Sequence, residues 1–117
     1  MARLVVMFKN QILREVHVGD SALKIGRDPS NHIQLDNPSV SRFHAQVYRQ
    51  GFPFFIEDKK STNGVYVNDV RIQWKAGLKE GDRVTIGKHT MIFKHDPGDD
   101  PNNRQVSLSD IDGTIKI

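Results

Sequence analysis

Residues 26–64 read GRDPSNHIQLDNPSVSRFHAQVYRQGFPFFIEDKKSTNG. Short apolar runs alternate here with clusters of turn formers, and nowhere does the apolar spacing follow a helix. Asp28-Pro29-Ser30-Asn31 and Asp36-Asn37-Pro38-Ser39 are dense in residues that set up turns. Between them Ile33-Gln34-Leu35 is a minimal strand, roughly 10 Å long at about 3.3 Å per residue. Phe43, Ala45 and Val47 alternate with His44, Gln46 and Tyr48, the period-2 signature of a half-buried strand. Gly51 permits a turn, Phe54-Phe55-Ile56 reads as a buried strand, and Asp58 to Gly64 is a third loop.

Outward from this stretch the pattern continues. Leu4 to Phe8 is an apolar strand. Asn10-Gln11 reads as a turn, and Ile12, Val16 and Val18 share one parity, with Arg14 breaking it. Ala22 to Ile25 leads into Gly26-Arg27. Val65 to Val67 and Val70 to Ile72 flank Asn68-Asp69, a two-residue hairpin turn. Leu78, Val84, Ile86 and Met91 to Phe93 supply the remaining strands, with turns at Gly81-Asp82 and Gly87-Lys88. Many short strands with closely spaced turns predict an all-β fold, a sandwich or barrel. Trp74 is expected to be partly buried or to cover neighbouring strands.

The chain has 117 residues, enough for one modest core without cross-links. Cysteine is absent, which excludes disulfides and thiol chemistry and fits a reducing, cytoplasmic setting. No apolar run approaches the length of a membrane span, so no membrane partner is expected. Charge is uneven: residues 1–95 carry fifteen Lys/Arg against nine Asp/Glu, whereas residues 96–117 carry two against five. A basic domain, residues 1–95, is therefore expected to precede an acidic linker or tail, 96–117, flexible or leading to a further domain. The excess of positive charge favours an anionic partner.

Strand direction decides where the polar clusters lie. If the strand ending at Ile25 runs upward, Gly26 to His32 is at the top. Ile33 to Leu35 is too short to cross a sandwich, so the loop at 36–42 stays near the top as well. The next two strands run down and up and return residues 59–64 there. The same alternation places Gly87-Lys88 at that end. Loops gathered at one end of a rigid sandwich are a common binding site.

Gly26-Arg27, Asn31-x-Ile33-x-Leu35, Val40-Ser41-Arg42-x-His44-Ala45, Asp58-x-x-Ser61-x-Asn63-Gly64, Gly81-Asp82 and Gly87 together resemble the forkhead-associated (FHA) domain over about residues 3–95. The resemblance implies an eleven-stranded, mostly antiparallel β-sandwich whose apical loops bind phosphothreonine peptides. It implies phosphate contacts from Arg27 and Ser41, and a phosphate or peptide contact from Arg42. It implies that Thr62 contacts the phosphate or the threonine methyl group, and that Asn63 bonds the peptide backbone. Gly26 and His44 match positions that hold the loops. Gly64 suits a turn requiring positive φ. Ser39 and Lys88 stand where they would add accessory contacts.

The side-chain chemistry agrees. A phosphate carries about −1.5 to −2 charges and three acceptor oxygens. Arg27 supplies a planar cation with several donors, Ser41 a neutral donor, and Asn63 a donor and an acceptor together. Two or three charge-assisted hydrogen bonds on a small contact correspond to roughly micromolar affinity. Catalysis is not expected. Ser41 and His44 lack a nucleophile elbow and an orienting acid, and the other histidines have no metal-ligand spacing. No cofactor or metal is implied.

The expected function is a phosphothreonine-dependent interaction module in kinase signalling. The alternative is a phosphate-independent interaction or oligomerisation module of the same fold. A nucleic-acid partner is not expected, because no aromatic-basic stacking pattern is legible in the chain. In the tail, Thr114 has Ile117 three residues on. The resemblance implies that selectivity often lies at that position, so Thr114 is a candidate phosphosite and self-ligand, in cis or in trans.

Overall fold

Alternating side chains and frequent turns resolve into two sheets in the computed structural model, which describes residues 2–95. The linker and tail expected at 96–117, and with them Thr114, lie outside the described residues. Eleven strands form: β1 (Ala2–Phe8), β2 (Gln11–Val18), β3 (Leu23–Gly26), β4 (Ile33–Gln34), β5 (Ala45–Arg49), β6 (Phe54–Asp58), β7 (Tyr66–Val67), β8 (Val70–Arg71), β9 (Lys75–Leu78), β10 (Arg83–Ile86) and β11 (His89–His95). There is no helix among the described residues. One sheet has the order β2-β1-β11-β10-β7-β8 and the other β4-β3-β5-β6-β9. The expected all-β sandwich is thus observed.

The core lies between the sheets. Leu4 and Val6 of β1, Val84 and Ile86 of β10, and Met91 and Phe93 of β11 are buried in one cluster with Ile25, Ala45, Val47 and Ile56 of the second sheet. Burial of each large side chain stabilises the fold by about 1.5–3 kcal/mol. Phe54 and Phe93 meet across the layers with ring centroids 5.4 Å apart.

Turn chemistry follows the residues. Asn68 and Asp69 both adopt positive φ, 50° and 70°, between the paired Val67 and Val70. That is the geometry a two-residue hairpin between twisted strands demands. The β1–β2 hairpin does the same with Lys9 and Asn10, φ 52° and 65°, one residue earlier than the sequence predicts. Within that hairpin the register shifts between Val6 and Met7. Ile12 pairs with Met7 and ends 63% exposed, so its shared parity with Val16 and Val18 does not bring it into the core.

Two further expectations fail for identifiable reasons. Phe43 does not join the buried parity of Ala45 and Val47; it is 54% exposed and precedes β5. His44 turns inward instead, and its ring is committed to loop backbone, as described below. Trp74 is 61% exposed, neither core nor cover. Its ring lies under Lys75, whose Nζ is 4.7 Å from the ring centroid.

One pairing sets the position of the polar loops. β3 and β4 run parallel, Ile25 beside Ile33 and Gly26 beside Gln34. The chain therefore loops out after β3, steps back one short strand and climbs again. Both strands finish at the same end. β5 pairs antiparallel to β3 and β6 antiparallel to β5, with Asp58 opposite Ala45. Residues 59–64 return to that end.

His89, opposite Phe8 at the start of β11, is buried and stacks on that ring at 4.8 Å. Its Nδ1 meets no hydrogen-bonding partner among the described residues, and burial lowers its pKa from the ordinary 6.5. The unfolded chain then binds more protons than the folded one as pH drops through about 6.5. Stability is complete above that value and falls as the pH is lowered. The thermal midpoint is expected to fall between pH 7.5 and 5.5 more in the wild type than in His89→Phe. Equal slopes in paired melting curves would contradict this.

Candidate functional site

Asp28 opens the first loop with a local turn: its Oδ2 accepts from Ser30 N at 3.0 Å and from the Ser30 hydroxyl. These bonds, and then the charges of Arg42 and Arg27, lower the Asp28 pKa, so the carboxylate stays ionised. The buried Asn31 ties the first loop to the second. Its Nδ2 donates to Asp28 O at 2.9 Å and to Arg42 O at 2.8 Å. Backbone bonds from Arg27 N to Ser41 O (3.0 Å) and from Asp28 N to Arg42 O (3.2 Å) complete the seam. Gly26 lies inside it. A Cβ there would stand 2.2 Å from Arg42 O and 2.8 Å from Asn31 Nδ2, so only glycine admits this approach.

His44 joins the second loop to the third. The ring is fully buried. Ser41 N donates to its Nδ1 at 2.9 Å, which leaves the ring proton on Nε2, 2.8 Å from Gly64 O. The tautomer follows from the backbone donor, since an N–H cannot face a protonated nitrogen. Its backbone is engaged as well: His44 N donates to Ile25 O and Lys59 N to His44 O, both at 2.9 Å. The third loop is shaped by Asp58 Oδ1, which accepts from Ser61 N at 2.9 Å, and by the Ser61 hydroxyl, which accepts from Gly64 N at 3.0 Å. Gly64 has φ +89°, and a Cβ there would stand 2.6 Å from Arg71 Nε.

Across the loop tips lies a shallow cavity of about 140 Å3, lined by Arg27, Pro38, Ser39, Val40, Ser41, Thr62 and Asn63. The Arg27 Nε donates to Val40 O at 3.0 Å, which aims the guanidinium and leaves both terminal NH2 groups for an anion. The Ser41 hydroxyl accepts from Thr62 N at 3.1 Å, so its own proton is free to donate outward. Asn63 Nδ2 donates to Ser39 O at 2.8 Å and keeps its second N–H and its Oδ1 for a ligand. Ser39 is fixed by Asn37, whose Oδ1 accepts from Ser39 N at 3.0 Å and from its hydroxyl at 2.6 Å. Among the described residues no carboxylate lines the cavity. The surface therefore presents a fixed cation and several donors to a small anion, with a donor–acceptor pair beside it.

Arg27, Ser39, Ser41, Thr62 and Asn63 are thus brought to one cavity. Gly26, His44 and Gly64 lie beneath it at the seams between loops. Arg42 and Lys88 are exposed and are not among the cavity's lining residues. Arg42 contributes its backbone carbonyl to the loop seam, and its charge reaches Asp28. The turn before Lys88 does abut the site: a Cβ on Gly87 would stand 2.4 Å from Ser39 Oγ, and Gly87 has φ +60°. Asn31, Asn37, Asp58 and Ser61 are the supports that reading for contacts alone passes over. Their signal was present as Asx and Ser turn formers at loop starts. Among the described residues no group of three or more His, Asp or Glu is placed to hold a metal ion.

Comparisons with known proteins agree with this geometry. A profile of the FHA domain matches residues 23–87. The transcriptional regulatory protein EmbR of Mycobacterium tuberculosis is 38% identical over 78 residues, covering 67% of this chain and 20% of EmbR. The glycogen accumulation regulator GarA of Mycolicibacterium smegmatis is 41% identical over 75 residues, covering 64% of this chain and 47% of GarA. The chain thus spans a fifth to a half of these relatives. Among solved structures, M. tuberculosis EmbR in complex with a low-affinity phosphopeptide superimposes with a TM-score of 0.73 at 34% identity, over 80% of this chain and 24% of that one. The FHA domain of CT664 from Chlamydia trachomatis gives 0.74 at 28% identity, over 81% and 97%. A match over more than half of the chain, on the sandwich whose loops build this cavity, makes the protein a member of the forkhead-associated domain family.

Proposed function

We propose that the cavity between the three loops binds phosphothreonine in an extended segment of a partner protein, for kinase-dependent signalling or assembly. The observation that carries this reading is the lining: a braced guanidinium and outward hydroxyls, with no carboxylate among them. Arg27 and Ser41 hold the phosphate, Thr62 contacts the phosphate or the threonine methyl, and Asn63 pairs with the peptide backbone. Arg42 reaches the peptide from outside the cavity, with Ser39 and Lys88 as accessory contacts. Gly26, His44 and Gly64 keep the loops in place. The phosphopeptide in the similar EmbR structure supports the assignment.

In this reading the module, residues 1–95, binds and performs no chemistry, and it acts in the cytoplasm. No helix of the described residues is long and apolar enough to cross a membrane.

The test is a titration with a phosphothreonine peptide library and its unphosphorylated twin. Roughly micromolar binding is expected for the first, with a loss of at least about 100-fold for the second, since the phosphate supplies most of the charge-assisted bonds. Equal binding of the two would support the phosphate-independent alternative instead.

A further inference from the structure

The outer face of the five-stranded sheet carries features that the phosphate cavity does not use. Phe43 and Trp74 are exposed there, 54% and 61%. Phe43 sits just before β5 and Trp74 just before β9, with β6 between those strands. Two strand spacings separate them, about 10 Å. The surface between them is grooved. A cavity of about 200 Å3 includes Lys24, Phe43, Gln46 and Lys59 in its lining. A second, of about 330 Å3, includes Lys59 and Trp74. Lys59 lines both, so the two cavities adjoin across its side chain.

The floor of the groove is neutralised internally. Glu57 accepts from Gln46 Nε2 at 3.0 Å and from Trp74 Nε1 at 3.3 Å, and lies 3.6 Å from Lys59 Nζ. Asp58 is spent on Ser61 N. The surrounding cations are not so matched. Among the described residues Lys24, Lys60 and Lys75 meet no carboxylate at ion-pair distance. Lys75 is instead held over two aromatic faces, 4.7 Å from the Trp74 centroid and 5.0 Å from that of Phe55. An exposed tryptophan beside a second aromatic, framed by lysines, is the composition of a protein-contact anchor.

The groove also lies next to the phosphate cavity along the chain. Lys59 and Lys60 begin the loop whose tip is Thr62 and Asn63, and Phe43 follows Ser41 and Arg42 in the second loop. We infer that this groove is a second docking surface, which takes an acidic segment with apolar side chains from the same phosphorylated partner. The inference rests on the phosphothreonine reading, which brings the partner to the neighbouring loops. About four extended residues span the distance from Phe43 to Trp74. Apolar side chains cover the two rings while carboxylates meet Lys24, Lys60 and Lys75. A nucleic acid is the competing anionic occupant, and the test below separates the two.

Trp74 is the only tryptophan in the chain, so its indole reports the groove directly. The probes are a short phosphothreonine peptide and the same peptide extended by ten glutamate and leucine residues at either end. Wild-type protein is expected to bind one extended form about ten-fold tighter than the short form, with a shift of the Trp74 indole N–H resonance. The double variant Lys24→Glu/Lys75→Glu and the single variant Trp74→Ala are each expected to remove that gain and leave the short peptide's Kd unchanged. Equal affinity of all peptides with an unmoved indole would overturn the inference. So would a single-stranded oligonucleotide that shifts the indole at a lower concentration than the extended peptide. If the short phosphopeptide and its unphosphorylated twin bind alike, the phosphothreonine reading fails. The groove is then judged separately with the unphosphorylated extended peptide: an indole shift abolished by the double variant sustains it, and no shift overturns it.

Discussion

Arg27→Ala is expected to raise the Kd for a phosphothreonine peptide by about 100-fold or more, with little change in the thermal midpoint. Among the described residues, the guanidinium is the only side-chain cation lining the cavity. It is already aimed, because its Nε is spent on Val40 O. A phosphate then receives two charge-assisted bonds from the terminal NH2 groups, each worth about 1.5–3 kcal/mol net. Losing both removes about 3–6 kcal/mol, which takes a micromolar complex to about 0.1 mM or weaker. The fold gains little from the residue, since the side chain is exposed and the carbonyl it holds can bond to water. Arg27→Lys tests the geometry apart from the charge. A lysine has neither the fork nor the Nε anchor, so about ten-fold weakening is expected to remain. Calorimetric titration reads both variants. A Kd within three-fold of wild type for Arg27→Ala would remove phosphate recognition from this cavity.

His44→Ala is expected to act on the fold first and on binding through it. The ring bridges Ser41 N and Gly64 O from a fully buried position. Truncation leaves a buried donor and a buried acceptor unpaired, each costing about 1–3 kcal/mol, and opens a void beneath the loops. A loss of about 3–5 kcal/mol corresponds to a midpoint lower by roughly 12 °C or more for a domain of this size. Ser41 then keeps its bond to Arg27 N but loses the one at its own N–H, so phosphopeptide affinity falls even in the fraction that remains folded. A midpoint shift below about 5 °C in thermal melts would show that the loops do not depend on this ring. Arg27→Ala and His44→Ala therefore separate the two kinds of residue at the site: one weakens binding without unfolding, the other does both.

Much of this was legible in the chain, and the misses share a cause. Ala45 and Val47 alternate as a half-buried strand should, and they are buried. Phe43 has the same parity and is exposed, because two residues earlier the backbone belongs to a loop and His44 takes the inward place. Trp74 is large and apolar, yet it lies outside the sandwich under a lysine. A period-2 pattern shows which side chains share a face only while the strand lasts. Where a strand ends is set by hydrogen bonds from elsewhere, such as His44 N to Ile25 O.

The parallel step from β3 to β4 was hidden for the same reason. Ile33-Gln34-Leu35 announced itself as a strand too short to cross, and that alone kept both loops at one end. Its partner and direction came from the pairing of Ile25 with Ile33. The turn formers, the apolar alternation and the residue types Arg27, Ser41 and Asn63 are local properties, so an all-β domain with hydrogen-bond donors suited to an anion in its loops was legible from the chain alone. The order of the strands, the tautomer of His44, the aim of Arg27 and the placing of Lys59 between the cavities of Phe43 and of Trp74 are relations between residues distant in the chain. They became visible only in the folded chain, because each depends on which distant groups the two sheets bring together at that end of the sandwich.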